Sequence, residues 1–294
     1  MVVHKLHKTN ATFGKESKAQ KRFDPSEVYV KHATRKGGRD VAEVTSDPNK
    51  ATKHMVENFG IRGVQWGNTV SDEERKHHAA KAVESLVDLA DVVGLHPKDI
   101  ALDGKLGLAF GARGKGTASA HYEPSTQVIN LTRASGVGTL AHEWGHAFDH
   151  MLTDFGSSRK DIDSNRASGN YMSSEHQYTH ELVGPGGKKW NSRGNETNLH
   201  EGWKHEEKPK RGIREAYGRW EKASADYRKR LKSALRDAVR NGQMSQNKAD
   251  DYWNSDHEIF ARTFERHVQH KLHEDGRENT YLSGLGGDHP FWVS

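Results

Sequence analysis

The ten residues Leu140-Ala141-His142-Glu143-Trp144-Gly145-His146-Ala147-Phe148-Asp149 decide how this chain is read. They lie in a segment, 137–155, whose apolar spacing predicts a helix, with Leu140, Ala141, Ala147, Phe148 and Leu152 forming the stripe that would bury it. On an α-helix, histidines four positions apart point within roughly 40° of each other and sit about 6 Å apart along the axis, so both imidazoles can reach one cation. Glu143 is displaced about 100° around the helix from His142, which keeps it out of the ligand set but close enough to act as general base toward a water held there. Gly145 removes a side chain beside the metal face. With 20 histidines in the chain, chance pairing at this spacing is the opposing reading. Context argues against it: a strand-like run precedes the pentad, a helical pattern runs through it, and a helix bearing carboxylates follows far downstream.

Composition narrows the alternatives. At 294 residues, 33% hydrophobic, with 29 glycines and a mean hydropathy of −0.95, the chain has material for one sizeable folded domain plus loops and extensions. No run approaches the length of a membrane span, and the first thirty residues lack a hydrophobic signal region, so neither membrane nor secretion is expected. The absence of cysteine excludes disulfides and thiolate-ligated zinc, leaving nitrogen and oxygen ligands and fitting a reducing cytoplasm. Net charge is +5, and residues 1–50 hold 11 Lys or Arg against 6 Asp or Glu, so the rest balances at 34 against 34. A basic arm of this kind gains affinity for nucleic acid by releasing counterions, or is simply a solvated tail. Its Phe13, Phe23 and Tyr29 are too scattered for a stacking platform.

Along the chain, residues 1–53 show no sustained period beyond Val28–Val30 and read mostly as coil. Residues 59–67 suggest a turn-rich apolar lead-in. Ser71 and Glu74 form a capping box for a helix carrying Ala79, Ala82, Val83, Leu86, Leu89, Ala90 and Val93, ended by Gly94. Three strands are predicted at 106–111, 118–122 and 127–131, a small sheet ahead of the pentad helix. Residues 156–212 are polar and aperiodic, a long loop read as either a lid bordering the cleft or a solvated insertion. Two amphipathic helices follow, 214–241 closed by Gly242, and 256–272, before a glycine-rich tail.

Two histidines do not complete a catalytic zinc site, which usually holds three protein ligands and a water. Glu258 opens the last helix ahead of Ile259, Phe260, Phe264 and Val268, which would seat it against the pentad helix. It reads as the third ligand, against the alternative of a first-turn carboxylate favoured by the helix dipole. Glu265 falls one heptad later, near the same face, and is grouped with Asp149 as support around the site, although an ion pair with Arg262 is the plainer reading of Glu265. Asp149, three residues past His146, is spaced to orient an imidazole. His121, Tyr122 and Glu123 are candidates to border the cleft.

The stretch from Phe59 to about Leu272 resembles the metallopeptidase-like domain of large polyvalent proteins from phages and conjugative elements. The resemblance rests on Leu-Ala-Phe-Gly-Ala-Arg-Gly at 108–114, Ala-His-Tyr-Glu-Pro at 120–124, Val-Ile-Asn-Leu-Thr at 128–132, Leu-Ala-His-Glu-Trp-Gly-His-Ala-Phe-Asp at 140–149 and Glu-Ile-Phe-Ala-Arg-Thr-Phe-Glu at 258–265. It implies a gluzincin arrangement: an α+β, zincin-like fold with His142, His146 and Glu258 on Zn²⁺ and Glu143 as base. It further implies a peptide or protein substrate, and a role for Tyr252 as hydrogen-bond donor to the oxyanion, with packing against Trp253 as the alternative. The organisation expected is a basic arm at 1–53, a catalytic domain at 54–275 and a tail at 276–294. Host cytoplasm or carriage in a virion is the expected setting. A rival class is a DNA-associated or virion-delivered binding protein, in which His150 or His257 closes a structural metal site and the arm does the contacting.

Overall fold

In a computed structural model of the chain, the described residues are 33–113, 120–133, 136–152, 171–175, 182–183, 189–190, 211–284 and 291. Most of the basic arm, most of the 156–212 loop and about half of the C-terminal tail lie outside them. The fold is mixed α+β. The chain divides into two compact units, residues 1–147 with 264–287 and residues 148–263 with 288–294. Among the described residues no helix is long and apolar enough to cross a membrane.

The first unit is built on a four-stranded sheet of β2 (Val64–Trp66), β3 (Gly107–Phe110), β4 (Ala120–Glu123) and β5 (Val128–Leu131), in the order β2-β3-β5-β4. β2 and β5 flank β3 in parallel, and β4 pairs antiparallel with β5 at the edge. The central strands β3 and β5 are buried at every position, which explains their near-continuous apolar sequences. β2 replaces the turn expected at 59–67. Three residues are too short to show a period, and the strand exists through its ladder to β3. Gly67, just after it, is required: a Cβ there would stand 2.0 Å from the carbonyl oxygen of Gly111.

A short ladder pairs β1 (Arg35–Lys36) with β8 (Glu278–Asn279). Between β1 and β2 run α1 (Ala42–Thr45) and α2 (Pro48–Phe59), so the coil expected through residue 53 is corrected over 33–53, and the expected boundary at 53/54 falls inside a helix. Asp47 caps α2 by accepting from the N–H groups of Asn49 and Lys50, with Pro48 in the first turn and Gly60 closing it at φ 68°. The capping box holds as expected at α3 (Asp72–Val93): the Ser71 hydroxyl accepts from Glu74 N–H, the Glu74 side chain accepts from Ser71 N–H, and Gly94 ends the helix at φ 66°. Part of the expected tail also belongs to this unit, since Tyr281 and Leu282 are fully buried.

The helix of the pentad is α4 (Leu140–Leu152) and the helix of Glu258 is α8 (Asp256–Glu274); each begins in one unit and ends in the other. Between them lie α5 (Met172–Glu175), the two-stranded ladder of β6 (Leu182–Val183) and β7 (Lys189–Trp190), α6 (Arg211–Arg240) and α7 (Gln246–Lys248). A π-helical turn at Ala249–Trp253 leads toward α8. The second unit has its own core, in which Tyr227, Leu231, Leu235 and Ala238 of α6 pack with Ala249, Ile259 and Phe291.

Candidate metal centre

Helix α4 starts where backbone geometry is tightly held. Gly138 adopts φ 83°, and a Cβ on it would come within 3.0 Å of Gly284 Cα. Its N–H donates to the Tyr281 carbonyl, the Gly284 N–H donates back to the Gly138 carbonyl, and the Ala141 N–H donates to the Leu282 carbonyl. The segment 281–284 therefore satisfies backbone groups that a helix N-terminus leaves open. Trp144 then anchors the pentad: its indole is buried, donates to the Ile100 carbonyl at 2.9 Å and stacks on Phe264 with ring centroids 5.2 Å apart. The apolar stripe expected from sequence thus understated the packing, since His142, Glu143 and His146 are also buried, at 6–9% exposure.

The two imidazoles face the same point. His142 Nε2 and His146 Nε2 stand 3.1 Å apart, with the rings edge to face. Two nitrogens each about 2.05 Å from a tetrahedral zinc would stand about 3.3 Å apart, so the pair fits one ion with little adjustment. Glu258 joins them: one ligand atom each from His142, His146 and Glu258 all lie within 4.8 Å of one another, a group able to hold a metal ion. Among the described residues that group has three members, and neither His150 nor His257 belongs to it. Those two histidines meet Tyr171 instead, His257 stacked on its ring at 4.7 Å and His150 edge-on at 5.9 Å.

Glu258 is aimed by Arg262, one helical turn later on α8. The guanidinium is 1% exposed, donates to Glu258 Oε2 at 3.3 Å, to the Tyr227 hydroxyl at 3.0 Å and to the Trp253 carbonyl at 2.5 Å, and lies over the Trp253 ring. The pairing of Arg262 with Glu265 expected from sequence is therefore corrected to a pairing with Glu258. A carboxylate offers two oxygens, so one can meet the guanidinium while the other faces the imidazoles. The i to i+4 spacing of Glu258 and Arg262 was the available signal.

Glu265 and Asp149 part company. Glu265 is 2% exposed; its Oε2 lies 3.6 Å from His142 Nδ1, and its Oε1 accepts from the Ser283 hydroxyl at 3.3 Å. It stands behind an imidazole, the place from which a carboxylate orients a histidine ligand. Asp149 is fully buried, and its carboxylate accepts from the Ser173 N–H at 2.8 Å, the Ser173 hydroxyl and the Tyr217 hydroxyl at 2.6 Å. Those bonds tie α4 to α5 and α6, a packing role the i to i+3 spacing did not suggest. Tyr252 differs from the three donors: it sits in the π-helical turn, 44% exposed, with its ring edge-on to Trp253. On edge strand β4, Glu123 pairs with Arg113 and accepts from Thr126. Burial opposes its ionisation, but these two partners outweigh it and hold its carboxyl below the usual range.

Comparison with known proteins agrees with one part of the resemblance. No curated protein and no solved structure matches the chain. Residues 244–289, which contain Tyr252, Glu258, Arg262, Glu265 and Ser283 but not the pentad, match the family model of large polyvalent protein-associated domain 1.

Proposed function

We propose that this chain is a zinc-dependent peptidase of the gluzincin type, with a zincin-like catalytic fold, in which His142, His146 and Glu258 hold the ion. The observation that carries the reading is the convergence of two nitrogen donors and one carboxylate, all buried, within 4.8 Å. An N, N, O set without cysteine suits zinc at a catalytic centre, and three protein ligands leave the position that a water needs. Bound there, the ion supplies a Lewis acid that polarises the scissile carbonyl and lowers the pKa of a water.

The chain's own residues do the rest. Glu143, about 100° round α4 from His142, takes the proton from the attacking water and delivers it to the leaving amine. Its burial, at 6% exposure, keeps bulk water from competing for that proton. Glu265 steadies the His142 ring, and Arg262 fixes Glu258 with one oxygen so that the other is presented inward. Tyr252 is assigned the oxyanion contact, and a peptide would run along the β4 edge. The match at 244–289 supports the polyvalent-protein part of the resemblance; a phage or mobile-element origin, with action in the host cytoplasm or delivery in a virion, follows from that resemblance. The test is Glu143→Gln: with zinc content retained, cleavage of an unbiased peptide library should fall by at least about a hundredfold. Full activity in a zinc-loaded variant overturns the assignment.

A further inference from the structure

We infer that the outer face of α6 binds the phosphate backbone of double-stranded nucleic acid without regard to sequence, independently of the peptidase reading. α6 carries 10 Lys or Arg against 4 Asp or Glu. Of the 34 bases and 34 acids in residues 51–294, that leaves 24 against 30 outside α6, so the excess of positive charge in this part of the chain is concentrated on one helix. Within 219–240 seven bases are exposed against two acids, Asp226 and Asp237, and Asp237 is already engaged by Arg240.

The face is sorted as well as charged. Successive helical residues turn by about 100°, which puts Lys222, Lys229, Arg236 and Arg240 within about 40° of one line. All four are exposed. Tyr217, Ser224, Tyr227, Leu231, Leu235 and Ala238 are buried on the opposite side. From Lys222 to Arg240 the row runs about 27 Å, most of one duplex turn of roughly 34 Å. A shallow depression lined by Ser233, Arg236, Asp237 and Arg240 lies at its C-terminal end.

The chemistry selects the partner. A helix that lies on a bilayer inserts its apolar face, but the apolar face of α6 is packed into the core of its own unit. Binding of single strands draws on exposed aromatic rings, whereas Tyr217 and Tyr227 are buried and Trp220 lies under the Arg228 guanidinium. A protein partner would call for an apolar patch at the centre of the contact, and the exposed row is polar, its four bases interrupted by Asp226 and Ser233. The row carries no Asn or Gln to read base edges. A predominantly basic line, with Asp226 as the one acid within it and none of these additions, fits a duplex backbone, whose affinity comes from counterion release.

Fluorescence anisotropy of the full chain with a labelled duplex of arbitrary sequence, over a range of salt, tests this. Lys222→Ala, Lys229→Ala, Arg236→Ala and Arg240→Ala combined should preserve the thermal melt, because alanine favours helix. The same variant should lower low-salt affinity about tenfold or more and reduce the slope of log K against log salt by roughly 3 to 4. A second full-length variant, with the bases of residues 1–32 changed to Gln, should keep the α6-dependent part of the slope. The inference is overturned if the parent does not bind the duplex at low salt. It is equally overturned if binding survives the fourfold substitution while the arm variant abolishes it, or if the row is needed for phosphatidylserine vesicles and not for the duplex.

Discussion

Replacing Arg262 by methionine removes a buried guanidinium that gives one bond each to Glu258, Tyr227 and Trp253 and covers the Trp253 ring. Methionine keeps much of the volume, so the main loss is electrostatic: Glu258, 7% exposed, is left as a buried carboxylate without its guanidinium. Breaking a buried ion pair from one side costs about 3–5 kcal/mol, a large share of the roughly 5–15 kcal/mol that a domain has. The cost should depend on zinc, because a bound ion supplies the positive charge that Glu258 has lost. Urea unfolding in chelator should therefore show the full loss, and with zinc saturating the loss should shrink to about 1–2 kcal/mol. Adding Glu258→Gln to Arg262→Met should recover part of the chelator-state loss, since the stranded charge is gone. An equal loss with and without zinc, or one below about 1 kcal/mol in chelator, would refute the view that Arg262 and the ion share Glu258.

Trp144→Ala should destabilise by about 3–5 kcal/mol, and Trp144→Phe, which keeps a ring against Phe264 but strands the Ile100 carbonyl, by about 1–3 kcal/mol; calorimetry of the metal-free protein distinguishes them. Stability should also fall with acid through His78, which is buried against the Tyr281 hydroxyl at 2.6 Å and whose pKa burial lowers to about 3. Because the unfolded chain protonates this histidine near its ordinary 6.5 while the folded one resists, its contribution is complete above that value and declines as pH falls toward about 3. Urea midpoints at several pH values should show a slope of up to about 1.4 kcal/mol per pH unit in that window, reduced in His78→Gln. An unchanged slope in that variant would assign the acid sensitivity elsewhere.

What was legible in the sequence was local. The capping box at Ser71 and Glu74, the closing Gly94 and the buried strands β3 and β5 announce themselves within one element, and the pentad does so within one helix. α2 carried readable signals too, Asp47-Pro48 at its start and Ala51, Met55 and Phe59 at four-residue steps, but they sit in a basic stretch whose composition suggested coil. β2 was illegible because a three-residue strand acquires its identity from a partner more than forty positions away. The site divides in the same way. Spacing singled out His142, Glu143 and His146 as candidates, and the i to i+4 relation of Glu258 and Arg262 was open to inspection. The partners of Asp149 lie 24 and 68 residues away, and Ser283, which bonds Glu265, sits in what composition marked as a tail.

The central claim, that one ion is shared by three side chains from two helices, is tested most directly by measuring zinc per chain and its affinity in the parent and in Glu258→Ala. The account predicts one zinc per parent chain, released by chelator with loss of hydrolysis, and binding at least about a hundredfold weaker once the carboxylate is removed. A parent that binds no zinc, or a Glu258→Ala chain that binds it as tightly as the parent, would contradict the account.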